Sequence, residues 1–158
     1  MSIDVKLINA FLESLLHILY TMAQTEASHK TPTLKTDTKA KGDITGLISM
    51  VGTHVTGSIA ISFCEDTILE IAKRKLGVEV NSVDHTITDL VEEITSMVTD
   101  GAKKILDESG HAFEMTSPEV ISGSDHEITH KTNDKVIQVP FQSSSGILYV
   151  EFSFQNSQ

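Results

Sequence analysis

The chain has a single cysteine, no tryptophan, three prolines and an aromatic share of only 5% over 158 residues. One cysteine, Cys64, excludes an internal disulfide. It closes the apolar run Ile-Ala-Ile-Ser-Phe-Cys, where a free thiol reads as a buried spectator, and it fits a reducing compartment. Basic residues are scarce too. Twelve Lys+Arg face twenty-two Asp+Glu, for a formal charge of -10 and a pI near 5.0. That deficit excludes a whole-surface attraction to nucleic acid or anionic lipid, because phosphate binding needs clustered Lys and Arg. There is no apolar run of the roughly 20 residues that span a bilayer. The first thirty residues lack the basic stretch, apolar core and small-residue cleavage site of a secretory signal. The expectation is a cytoplasmic chain with neither nucleic acid nor membrane as partner. No Walker, dinucleotide or Gly-x-Ser-x-Gly pattern is present.

The length suits one domain, residues 1–158, able to bury a core without staples. Residues 4–27 read as a long helix, with Val5, Ile8, Phe11, Leu12, Leu15, Leu16, Leu19 and Met22 at spacings of three and four. Residues 30–41 are Thr- and Lys-rich with Pro32, and suit a loop or an exposed edge strand. Strands are expected at 43–51 and 53–63, the second alternating Val55, Gly57, Ile59, Ile61, Phe63 against Thr56, Ser58, Ala60, Ser62. A short helix follows at 66–76, stopped by Gly77, with Lys73, Arg74 and Lys75 where the helix dipole favours cations. A second long helix is expected at 87–108, capped by Thr86 with Asp89 three residues on and closed by Gly110. A short strand follows Pro118 at Val120–Ile121. Clearer strands span 136–142 and 146–154, and the polar stretch 125–134 suits a hairpin arm.

Ile8–Ala23 (INAFLESLLHILYTMA) and Ile87–Ala102 (ITDLVEEITSMVTDGA) align without gaps and share one apolar rhythm. Each is followed by β-rich sequence. This pattern predicts an α/β (α+β) fold with pseudo-symmetry, an antiparallel sheet covered by two long helices.

At 100° per residue, Asp89, Glu93, Ser96 and Asp100 fall at roughly 0°, 40°, −20° and 20° on the second long helix. Apolar residues take most of the remaining circumference, so the row is free to face outward. A solvated face of an amphipathic helix explains such a row by itself. Carboxylates at i, i+4 spacing repel, however, and a merely structural face tends to relieve that with lysine.

The stretch Asp89-Leu-Val-Glu-Glu-Ile-Thr-Ser96 resembles the signature of the CheC/CheX/FliY chemotaxis phosphatases. That signature is Asp or Ser, three residues, Glu, two residues, Asn, then Pro about 22 residues later. Asp89 and Glu93 match in type and spacing. Pro118 supplies the proline, with 21 residues between it and Ser96. The layout is similar over nearly the whole chain, and the opening helix resembles that of CheX, which carries no second motif. Correspondingly, Ala10, Ser14 and His17 align with Asp89, Glu93 and Ser96.

The resemblance implies a CheC-like fold, and a partner that is a phosphorylated CheY-type response regulator whose aspartyl phosphate is hydrolysed. It implies that Glu93 contacts the regulator's lysine, that Asp89 supports local geometry and charge, and that Asp100 and Pro118 belong to the partner-binding surface. The family's Asn, which presents its amide to the attacking water, is Ser96 here. A serine hydroxyl is shorter and has one proton to donate, and positional errors of about 1 Å can cost on the order of 10²-fold. Two readings follow: a weakened aspartyl-phosphate phosphatase, or a module that binds the regulator without hydrolysis. Mg²⁺ is expected in the regulator, and no metal in this chain. A homodimer is also implied, because CheX resembles a strand-exchanging dimer and long apolar C-terminal strands with an open edge invite pairing.

His126-Glu-Ile-Thr-His130 matches the HExxH string of zinc proteases, which works only on a helix. The flanks here are turn-rich, and in a strand residues four apart lie roughly 13 Å apart. The match is read as coincidence, and His17 as a packed or partly exposed histidine.

Overall fold

The computed structural model describes residues 3–130 and 135–156. Among them the chain runs α1 (Ile3–Ala23), β1 (Ala27–His29), β2 (Thr33–Lys35), β3 (Ile44–Gly52), β4 (Val55–Phe63), α2 (Glu65–Leu76), α3 (His85–Glu108), β5 (Phe113–Met115), β6 (Glu119–Ser122), β7 (Val136–Ser143) and β8 (Gly146–Asn156). The strands form one antiparallel sheet in the order β1-β7-β8-β4-β3-β5, with β2 also on β7 and β6 also on β3. The expected α+β architecture, an antiparallel sheet under two long helices, is what the structure has, with α2 beside them.

The helices stop where their apolar rhythm stops. α1 ends at Ala23 rather than continuing to 27. Gln24 turns the chain in the left-handed region (φ 49), and Ala27 already pairs with Ser143. α3 starts at His85, two residues early, because Asp84 rather than Thr86 is the cap: its carboxylate accepts from the Thr86 N–H at 3.0 Å. The Asp89 carboxylate lies 3.2 Å from His85 instead of completing a capping box. α2 ends as expected, with Gly77 at φ 71 donating to the Lys73 carbonyl. By length and hydropathy Asp4–Ala23 could cross a membrane, contrary to the expectation from sequence. In the fold its apolar side is spent on the core.

One core lies between the helices and the sheet. Ile59, Ile61 and Phe63 of β4 face up with Phe152, Val150 and Leu148 of β8, against Phe11, Leu15 and Leu19 of α1 and Leu90, Ile94 and Val98 of α3. The predicted alternation of β4 holds, but its polar side is not solvated. Ser58, Ala60 and Ser62 are fully buried. Residues 36–43 and 123–130 lie across that reverse face, joined by Ala40 N–H to His126 O and Ile128 N–H to Thr38 O, both 2.8 Å. A small cluster of Ala40, Leu47, Ala60 and Ile128 fills the gap between them.

His126 and His130 are pegs in this reverse face, not zinc ligands. His126 bonds the Thr45 hydroxyl at 2.6 Å and the Gly123 carbonyl at 2.8 Å. His130 bonds Ser58 at 2.6 Å and the wholly buried Glu151 at 3.0 Å. Lys35 of β2 completes the set, 2.6 Å from Glu151. A buried carboxylate needs such partners. The hairpin arm expected at 125–134 is instead this crossing segment as far as 130. Residues 131–134 lie outside the described residues.

Two more expectations change. The edge of β7 is not open: β1 covers Phe141–Ser143 and β2 covers Val136–Gln138, while β8 is central. Cys64 is only half-buried, at the junction of β4 and α2. Burial, and then the charges of Asp43 and Asp66, push its thiol pKa up, so it is not an activated nucleophile.

Candidate functional site

The site is built on α3. Its inner stripe, Ile87, Leu90, Val91, Ile94 and Val98, is buried. Thr95 and Thr99 are buried as well, because each turns its hydroxyl back onto a carbonyl of the preceding turn at 2.7 Å. Gly46 of β3 lets the sheet approach: a methyl there would collide with the Thr95 side chain. Gly101 does the same for α1, where a methyl would strike Ser14. The helix is thus clamped from below and from one side, and its remaining face is fixed toward solvent.

On that face Asp89, Glu93 and Asp100 are exposed and Ser96 is half-buried. A shallow open cleft of about 330 Å³ runs along the C-terminal half of the row. Ser96, Asp100 and Lys103 form one wall, and Glu114, Thr116 and Pro118 the other. Ser96, Asp100 and Pro118 therefore meet in one cleft. Asp89 and Glu93 do not line it; they continue the row toward the N-terminus, with Glu93 one turn from Ser96. The opposite wall is held by Thr116, whose hydroxyl accepts from the Ser49 N–H at 2.9 Å and whose own N–H donates to Ser49 O at 3.0 Å. Lys103 is committed elsewhere, donating to Phe113 O at 2.9 Å and lying 3.7 Å from Asp107.

Glu93 is not unaccompanied. Lys75 of α2 lies 3.5 Å from its carboxylate, with Glu93 still 49% exposed. Sequence reasoning missed this lysine and the anchoring Thr116. Neither belongs to the row, and only the packing of α2 and of the 115–118 turn against α3 brings them near. The row can receive a cation, and the hydroxyl of Ser96 can hold a water. Among the described residues no group of three His, Cys, Asp or Glu is placed to hold a metal.

Residues 44–142, which carry β3 through β6, all of α3 and all but the last residue of β7, match the family model described as chemotaxis phosphatase CheX. The chain belongs to the CheX family. A CheC-like superfamily protein from Shewanella sp. PV-4 is 46% identical, with a TM-score of 0.88 over 98% of this chain and 99% of that one. The chemotaxis protein CheX from Vibrio vulnificus is 45% identical, with a TM-score of 0.86 over 94% of this chain and 99% of its own. The same fold recurs at 23% identity and a TM-score of 0.77 in a CheX–CheY–BeF3–Mg complex from Borrelia burgdorferi, covering 94% of this chain and 97% of that one. No curated protein matches the chain significantly.

Proposed function

We propose that this CheX-family protein docks a phosphorylated CheY-type response regulator on the α3 row and promotes hydrolysis of its aspartyl phosphate. The observation that carries the reading is the placement of Glu93, exposed on α3 one turn from Ser96, which in turn lines a cleft closed opposite by Pro118. That arrangement suits a partner whose lysine meets Glu93 while its phosphoryl group enters the cleft. The CheY-bound Borrelia relative supports the choice of partner.

In the proposed reaction a water attacks phosphorus in line, the bond from phosphorus to the aspartyl oxygen breaks, and the products are inorganic phosphate and the free carboxylate. Such a transfer needs positioning more than covalent help. Ser96 holds the water, Glu93 anchors the regulator's ammonium, and Asp89 and Asp100 set the charge and shape of the row. Mg²⁺ belongs to the regulator in this reading. The encounter takes place in the cytoplasm.

Ser96 itself favours a second reading, in which the protein binds the regulator without hydrolysing it. A serine reaches less far than the family's asparagine and offers one proton instead of two. Single-turnover loss of phosphate from the regulator, with and without this protein, separates the two readings. Faster decay supports the phosphatase. Binding without faster decay leaves the binding module, and neither effect refutes both.

We also propose a homodimer, on family resemblance alone. The outer edges of the sheet are made of short strands of three or four residues, which limits edge pairing. Sedimentation showing only monomer at tens of micromolar would contradict the dimer.

A further inference from the structure

We propose that Lys75 is a specificity-determining residue that occupies Glu93 in the free protein and sets how tightly a cationic partner side chain can be received there. The inference rests on the reading of Glu93 as the residue that meets the regulator's lysine. Lys75 sits in the last turn of α2, with its side chain 27% exposed and its ammonium 3.5 Å from the Glu93 carboxylate. Its neighbours are committed to other acids: Lys73 to Glu79 at 2.9 Å and Arg74 to Glu70 at 2.8 Å. Within the row, Asp89 faces His85 at 3.2 Å. Lys75 is therefore the ammonium that already stands where a partner ammonium must come.

A carboxylate carries one charge to share. An incoming lysine either displaces Lys75, losing an existing ion pair, or binds the other oxygen and is repelled by Lys75 across a few ångströms. Both routes weaken docking relative to an unoccupied Glu93. The pair is half-exposed, so the penalty is that of a surface ion pair, about two- to five-fold in affinity. Residue 75 thereby tunes docking strength without touching the phosphoryl chemistry, and it discriminates against partners whose cation is poorly placed to compete.

The test is titration of the protein with a CheY-type regulator carrying beryllofluoride and Mg²⁺. Lys75→Met keeps an unbranched side chain of similar length and removes the charge. It should bind about two- to five-fold more tightly than wild type, while Lys75→Arg should match wild type. The gain should vanish when Lys75→Met is placed on Glu93→Gln, because nothing is left to compete for. An unchanged or weaker affinity for Lys75→Met, or a gain that persists without Glu93, overturns the inference while leaving docking intact, provided Glu93→Gln still loses affinity. A wild type that does not bind the regulator overturns the docking reading and this inference together. Should Lys75→Met unfold, Lys75→Gln carries the same expectation.

Discussion

α1 and α3 begin from the same apolar rhythm and end with different tasks. Phe11, Leu12, Leu15, Leu19 and Ala23 of α1 are buried, and so are their counterparts Leu90, Val91, Ile94, Val98 and Ala102 of α3. The difference lies in the row beside that stripe. Ala10 and Ser14 are buried, whereas Asp89 and Glu93 at the matching positions are exposed. Ser14 sits in the seam between the helices, donating to the Val98 carbonyl at 2.7 Å and packing on Gly101. α1 therefore buries the N-terminal half of that row, leaving His17 and Thr21 exposed beyond it, whereas α3 keeps the matching carboxylates Asp89 and Glu93 at the surface. A shared period fixes which face meets the core; the small residues at its margin decide whether the next row is seam or surface.

The sharpest way to break this comparison is to put the motif on α1. Ser14→Glu should not create a second docking row. It should bury a charge against Gly101 and the Val98 carbonyl, and destabilise the fold by about 3 kcal/mol or more, read from urea unfolding. A folded variant of wild-type stability would show that the α1 row is as free as that of α3.

A smaller effect is expected on chemistry. Ser96→Asn should restore reach and a second donor for the water, and raise single-turnover phosphate loss by up to ~10²-fold, or about 2.7 kcal/mol of barrier. Regulator affinity should stay unchanged. His17→Asn at the matching position of α1 should change neither.

Next comes docking. Glu93→Gln should weaken regulator binding by about 2 kcal/mol, roughly thirty-fold, since a charge contact made only in the complex is lost. The isolated protein should keep its stability, because the Lys75 pair is half-exposed and contributes little. The smallest effect belongs to the seam: Ser14→Ala should lower stability by about 1 kcal/mol through the lost bond to Val98, with binding unaffected.

Much of the fold was legible because periodicity reports burial. The long helices, β3, β4, β7 and β8 all announce themselves in spacings of 3.6 or 2. β1, β2 and β5 do not, since three residues each are too few to show a period. The reverse face carries no such signal. Ser58 and Ser62 fall on the polar side of the β4 alternation, and residues 36–43 and 123–130 together with Lys35 bury them along with Glu151. Nothing local in the His126–His130 string says that its histidines will bond Thr45 and Glu151 across the sheet. At the candidate site, the row of Asp89, Glu93, Ser96 and Asp100 was visible on the helical wheel, and the pairing of Ser96 with Pro118 came from family resemblance. Lys75 was invisible, because its approach to Glu93 depends on the angle at which α2 meets α3.

The central claim is that α3, not α1, presents the docking face. Amide hydrogen exchange on the protein with and without a CheY-type regulator carrying beryllofluoride and Mg²⁺ tests it directly. The account predicts added protection along α3 from Asp89 to Asp100 and across the 114–118 wall of the cleft. The exposed side of α1, at Glu13, His17 and Tyr20, should be unchanged. Protection centred on α1, or spread equally over both helices, would contradict it.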